Sequence, residues 1–433
     1  MRSKNWFAVC MLTCSVLIFG QSPQDAPDTV AGIAVNYDEA RVGDFVLPDA
    51  LVLNDGQAVR DAKTWWKKRR PEIVAMIESQ QYGRAPGRPA DESFDVFDSG
   101  TPALNGKAIR KQVRIYLSKD KSGPSIQLLI YMPASSRKPA PMLLSINFGA
   151  VQDAVDDPGI KPETVWDPKT NTRITPQQGR HFGRLDAEPF LAAGIGVATF
   201  YYGDVDPDYP DGFANGIRAH YLKPGQKERA ADDWGSIAAW AWGMSRVQDY
   251  FETDKDIDAH RVAIHGISRL GKTVMWAGAR DQRFAAVIAS CSGEGGAALS
   301  HRNYGETIAH LTVPSRYPYQ FAATYAKYAG FPDKARFDSN MLIALIAPRP
   351  LLLQTGSSDK WSDPKGEFLA AVAAGPVYRL LGKKDLGTDV WPGAKEPILH
   401  ELGYYMHDGG HGMVASDWDV YLQFLKDHLH PER

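Results

Sequence analysis

The chain is expected to fold as a three-layer α/β sandwich around a mostly parallel central sheet. Three observations point there. Continuously apolar runs recur from Met142 onward, as in Met142-Leu-Leu-Ser-Ile-Asn-Phe148 and Ile195-Gly-Val-Ala-Thr-Phe-Tyr-Tyr202, and a strand covered on both faces needs such a run. Helical or loop material separates each run from the next, which gives alternating strands and helices with right-handed crossovers. At 262–272, Val-Ala-Ile-His-Gly-Ile-Ser-Arg-Leu-Gly-Lys, a strand ends in a glycine-flanked serine and passes straight into a helix.

Taken in order, the chain opens with Arg2 and Lys4, an apolar stretch from Trp6 to Phe19, and Gly20 before a polar segment. Residues 1–20 therefore read as a signal peptide, the stretch being shorter than the roughly 20 apolar residues that span a bilayer. The protein is expected to be exported, periplasmic or secreted, with no membrane attachment after cleavage. Cleavage removes Cys10 and Cys14 and leaves Cys291 without an internal disulfide partner. Residues 21–45, rich in Pro, Asp, Ala and Gly, read as a linker or N-terminal arm, and 46–433 as a single α/β domain.

A helix is expected over Thr64–Gln81, with Pro71 as a point of division. Strands follow at 111–117, whose alternation suggests one wet face, and at 126–132. After the strand from Met142, the segment 150–185 is long, polar and rich in Pro, Asp and Arg, a size of loop that is usually functional. A strong helix spans Trp234–Tyr250. Buried strands are expected at 262–267, 285–290 and 350–355, and a last helix over Ser416–His428.

Composition narrows the function. The 433 residues are 44% hydrophobic, enough for a large core, and a net charge of −2 gives no global attraction for nucleic acid, so no nucleic-acid partner is expected. Eleven Trp, 18 Tyr and 17 Phe could stack on sugar rings, although most aromatic side chains build cores.

The chemistry converges on Ser268. Gly266 and Ser268 fit the first part of a G-x-S-x-G nucleophile elbow, but Leu270 stands where the second glycine belongs and Gly271 comes one residue late. A serine nucleophile needs a histidine base and an orienting carboxylate, which in such folds follow in the order serine, acid, histidine. Asp359 lies just beyond the strand 350–355, where open α/β sheets place their sites. In His407-Asp-Gly-Gly-His411-Gly412, His411 is preferred over His407 for its glycine flanks. Glu294, in Cys291-Ser-Gly-Glu294, is the alternative acid, and Glu306 is a further carboxylate that could bind substrate. His407 and His411 lack the helical H-E-x-x-H context, and no phosphate loop or dinucleotide fingerprint appears, so neither a metal nor an organic cofactor is expected. Cys291 reads as an inert, small buried hydrophobe.

Further motifs resemble the glucuronoyl esterases of carbohydrate esterase family 15, in their bacterial form, over about residues 50–430. Gly266-Ile-Ser-Arg-Leu-Gly-Lys272 looks like that family's G-x-S-R-x-G-K signature. The likeness extends through Asn147-Phe-Gly149, Ala198-Thr-Phe-Tyr-Tyr-Gly-Asp204 with Asp211-Gly-Phe213, Trp234-Gly-Ser-Ile-Ala-Ala-Trp240, Gly296-Ala-Ala-Leu-Ser300, Tyr304-Gly-Glu306-Thr307 and Met341-Leu-Ile-Ala-Leu-Ile-Ala-Pro-Arg-Pro350.

The resemblance implies an α/β-hydrolase fold. It also implies serine-dependent cleavage of esters between (4-O-methyl-)glucuronic acid of glucuronoxylan and lignin alcohols; separately, a monomer is expected. By the same resemblance Ser268 is the nucleophile, His411 the base and Arg269 the oxyanion stabiliser, while Lys272, Glu306 and Trp361 contact the uronate. A glutamate is common in that family where this chain has Cys291, and other bacterial members place the acid after the next strand, which supports Asp359. Tyr317-Pro-Tyr319-Gln320-Phe321 stands where a His-Trp pair is usual, and Ala150-Val151-Gln152 replaces part of a glycine-asparagine-histidine run. Two other readings remain: a serine esterase for acetyl or feruloyl esters, and a weakly active uronate-binding homologue.

Overall fold

A computed structural model describes residues 28–136, 138–176, 183–222 and 229–430. The segment 1–20 expected as a signal peptide, and with it Cys10 and Cys14, lies outside the described residues.

Nine strands form the central sheet: β1 (Ser93–Ala103), β2 (Ala108–Tyr116), β3 (Ser125–Pro133), β4 (Ala140–Asn147), β5 (Gly196–Tyr201), β6 (Ile257–Ile267), β7 (Ala286–Ser290), β8 (Leu351–Gly356) and β9 (Leu402–His407). Their spatial order is β9-β8-β7-β6-β4-β5-β3-β2-β1. The six strands from β9 to β5 are parallel, and β3, β2 and β1 add on antiparallel at one side.

The apolar runs are continuous because both faces are covered. Along β4, Met142, Leu144 and Ile146 join one core while Leu143 joins the other; along β8, Leu351 and Leu353 oppose Leu352 in the same way. The first core is closed by α1 (Arg70–Ile77), α3 (Ser236–Phe251), α4 (Arg269–Arg280), α5 (Ser339–Ala344) and α6 (Pro364–Leu380), the second by α2 (Ala187–Ala192) and α7 (Asp417–Leu429). That is the three-layer sandwich expected from the alternation of strands and helices.

Three local expectations change. Pro71 does not divide its helix: a wide turn over Trp65–Arg69 leads into α1, with Arg70 N–H reaching back to the Trp65 carbonyl, so the proline falls in a first turn where its missing N–H costs little. The polar side of β2 is not wet. On it Arg110 is paired with Asp98 and Asp157, both at 2.8 Å, and the long segment after β4 lies over that side through Asp157 and Gly159; Lys111, on the opposite face, is paired with Asp254 and Asp256 at 2.7 Å. Residues 28–45 form a short hairpin and a helical turn bonded to the body: Asn36 O accepts from Gly305 N at 2.8 Å, and Glu39 pairs with Lys365 and Arg302.

Candidate active site

Ser268 leaves β6 at the centre of the parallel block and caps α4 with φ +59° and ψ −125°. A non-glycine residue held there is strained, and such strain is typical of a nucleophile turn. The displaced glycine has a steric reason. A Cβ on Gly271 would stand 2.8 Å from the Ser290 carbonyl oxygen and 3.1 Å from Ser292 Cβ, so α4 lies against the end of β7 only if residue 271 has no side chain. Leu270 instead turns fully into the core. Gly266 is needed as well, since a Cβ there would meet the Leu270 carbonyl oxygen at 2.4 Å.

Asp359 follows β8 and His411 follows the neighbouring β9. Nδ1 of His411 lies 2.7 Å from Asp359 Oδ2, with the carboxylate almost wholly buried and the imidazole a quarter exposed. Burial would raise the Asp359 pKa, but the charge and hydrogen bond of His411, with bonds from Ser362, hold it below the usual carboxylate value. The carboxylate is thus kept as an acceptor, which fixes the proton on His411 Nδ1 and leaves Nε2 free to accept one. The loop is seated by close backbone contact, because a Cβ on Gly356 would come within 2.1 Å of the Gly410 carbonyl oxygen.

Glu294, the alternative acid, is not bonded to His411. It accepts from Ser300 Oγ at 2.6 Å and Tyr325 OH at 2.8 Å, and burial pushes its pKa up to about 8. It is a structural carboxyl under the loop after β7.

His407 has its own partner. Its Nδ1 lies 3.0 Å from Asp417 Oδ2 and its Nε2 3.0 Å from the carbonyl oxygen of Gly410, the residue before His411. Burial lowers the His407 pKa, but Asp417 and the Gly410 carbonyl outweigh it and raise the net value. A group raised in this way stabilises most below its unfolded value, about 6.5, and loses that contribution as pH rises through the folded value. Asp417→Asn is therefore expected to cost about 3 kcal/mol near pH 6, with the gap in Tm from wild type narrowing toward alkaline pH. A gap that stays constant with pH would show that His407 carries no charge in the fold.

Arg269, the residue after the serine, is held by a carboxylate that the sequence reading did not single out. Its guanidinium is 2.5 Å from Asp208 Oδ2 and packs over the Tyr317 ring at 4.6 Å. Burial works against its charge, and Asp208 with Tyr202 and Tyr317 reverses that effect, so the pKa is raised. Asp208 also accepts from Tyr202 OH, Tyr319 OH and Gln320 Nε2 at 3.0, 3.0 and 2.7 Å. Tyr319 and Gln320 thus belong to the cradle of Arg269. The replaced segment at 150–152 is likewise pinned, with Val151 N–H donating to Glu163 at 2.6 Å and Gln152 bonded to the Glu163 backbone. Asp208 was legible only as an acid in the polar run after an apolar strand.

Lys272, one turn along α4, is buried with Glu306 Oε2 3.9 Å from Nζ; burial lowers its pKa while Glu306 opposes the shift. Glu306 also pairs with Arg316 at 3.1 Å, and its N–H donates to the Trp361 carbonyl at 2.8 Å. Trp361 is half-buried, flanked by Arg316 and, edge-on, by His310. Tyr37 of the arm completes this side. Its pKa is pushed up to about 12 by burial, then by Asp359, Tyr304 and Glu306, which puts its hydroxyl in the field of both acids.

A strained serine at a helix N-terminus, a histidine held by a buried aspartate on loops after two strands of the same sheet, and a fixed guanidinium make up the machinery of acyl transfer. The comparisons agree. A family model described as glucuronyl esterase of fungi matches residues 187–382. A carbohydrate esterase from an unknown prokaryotic organism is 43% identical, over 91% of this chain and 92% of that protein. A solved glucuronoyl esterase from Solibacter usitatus superposes with a TM-score of 0.86 at 44% identity, covering 90% of this chain and all of that one. A family 15 carbohydrate esterase from a marine bacterial metagenome, described as promiscuous, gives 0.83 at 42%, over 91% of this chain and all of that one. The chain belongs to the glucuronoyl esterases of carbohydrate esterase family 15, with the α/β-hydrolase fold. It is a carboxylic ester hydrolase.

Proposed function

We propose that this esterase hydrolyses esters of glucuronic and 4-O-methyl-glucuronic acid on glucuronoxylan with lignin alcohols, through an acyl-enzyme on Ser268. The observation that carries the reading is the 2.7 Å contact of His411 with the buried Asp359 carboxylate, on the loops that follow β9 and β8 of the same parallel sheet whose β6 ends in the strained Ser268, with Arg269 as the next residue. His411 Nε2 takes the Ser268 proton as the hydroxyl attacks the ester carbonyl, then gives it to the departing alcohol. Water repeats the sequence and releases the uronic acid. Arg269 stabilises both oxyanions through its backbone N–H and its guanidinium, and Arg269→Ala, which removes the guanidinium and keeps the N–H, is expected to lower kcat by about 10²- to 10³-fold.

Lys272 and Glu306 offer a donor and an acceptor to sugar hydroxyls, with the Trp361 ring as the apolar wall beside them. The basic N-terminus and apolar stretch before Gly20 support export, and the enzyme is read as a monomer whose catalytic unit is a single domain. The deciding test is a panel of benzyl glucuronate, acetyl and feruloyl esters: uronate esters should be turned over with the highest kcat/KM. Preference for acetyl or feruloyl esters would replace the substrate assignment, and glucuronate binding without turnover would replace the activity.

A further inference from the structure

Cys291 is the one cysteine among the described residues, and it is buried. It leaves β7 with φ +44°, and its Sγ lies 3.4 Å from both the N–H and the carbonyl oxygen of Gly412, the residue after His411. The sulfur therefore lies against the loop that carries the imidazole. One ligand atom each from Cys291, Asp359 and His411 lie within 4.8 Å of one another. Thiolate, imidazole and carboxylate are the zinc donor set, and a tetrahedral ion with bonds of about 2.0–2.3 Å wants its donors roughly 3.5 Å apart. The three groups need to shift by about 1 Å or less to enclose such an ion. One thiolate and one carboxylate balance a divalent charge, so the filled site is neutral, as a buried site should be.

We propose that Cys291, Asp359 and His411 form an inhibitory site for zinc and similar thiophilic divalent cations. Three bonds form to the metal: from Cys291 Sγ, an Asp359 oxygen and His411 Nδ1. The thiol proton leaves to solvent. The Nδ1 proton is lost and one is gained at Nε2, so the imidazole stays neutral but in the opposite tautomer. Nε2 then carries a hydrogen and cannot accept one from Ser268. No oxidant or other reactant is needed. Binding stands on the three donors alone; the inhibition rests on His411 being the base of the proposed mechanism.

Two readouts separate those parts. Co2+ added to the wild-type protein should give a thiolate-to-cobalt charge-transfer band in the near ultraviolet, absent in Cys291→Ser and Cys291→Ala. Zn2+ should suppress benzyl glucuronate turnover at concentrations at least about tenfold lower for wild type than for either variant, each factor of ten being 1.4 kcal/mol, with a chelator restoring activity. Either variant, checked for fold by circular dichroism, should turn over at the wild-type rate without metal. A missing thiolate band, or equal zinc sensitivity in wild type and variants, overturns the proposal. A thiolate band with undiminished turnover overturns the tautomer step. A wild type inert on uronate esters in chelator sinks the functional reading instead, and the cobalt band still decides the site.

Discussion

Ser268→Ala is expected to lower kcat on benzyl glucuronate by roughly 10⁵- to 10⁶-fold, because the variant lacks the only oxygen through which the acyl-enzyme can form. Its fold should survive. The alanine methyl is smaller than the hydroxymethyl group it replaces, and the steric demands of the turn fall on Gly266 and Gly271 rather than on the serine side chain. KM should change little, since the uronate contacts proposed for Lys272, Glu306 and Trp361 stay in place, so the loss appears in kcat. Single-turnover kinetics with unchanged binding of glucuronate would show this. Retained turnover would remove Ser268 from the mechanism.

Asp359→Asn is expected to lower kcat by about 10⁴-fold, and Glu294→Gln to leave it near the wild-type rate. An amide at 359 can donate to Nδ1, which holds the imidazole in the tautomer that cannot act as base. The Glu294 carboxyl bonds to Ser300 and Tyr325, and an amide preserves much of that pattern because burial already favours the neutral form of the acid. The reverse result, a dead Glu294→Gln and an active Asp359→Asn, would exchange the two roles.

The choice between these acids shows what the sequence could and could not carry. The turn at Ser268 is written locally, in glycines whose spacing reflects backbone contacts a few residues away. The partner of His411 is decided by strand order instead. β9 lies beside β8 and one strand removed from β7, so the histidine loop hangs over Gly356 and meets the acid that follows β8. Glu294, three residues beyond Cys291, is carried away through two glycines with positive φ, Gly293 and Gly295. Two strands escaped notice for related reasons. β1 is an edge strand broken by Asp98, Gly100 and Pro102, and β9 follows a long polar stretch with a Gly-Tyr-Tyr core that suits several local structures. Asp208 escaped because a carboxylate in a polar run declares itself only through the cation it meets.

The N-terminal arm also bears on where the folded unit begins. A protein trimmed to start at residue 46 would lose the Asn36 carbonyl that receives Gly305 N–H, the Tyr37 ring against Tyr304, and the Glu39 carboxylate that ties Arg302 to Lys365. Gly305 and Tyr304 directly precede Glu306, so the cut would free the backbone of the very loop whose carboxylate pairs with Lys272 and Arg316 and is proposed to meet the sugar. The stretch that looks expendable in composition is a buttress, and the useful boundary for trimming lies ahead of Asp28, not behind Phe45.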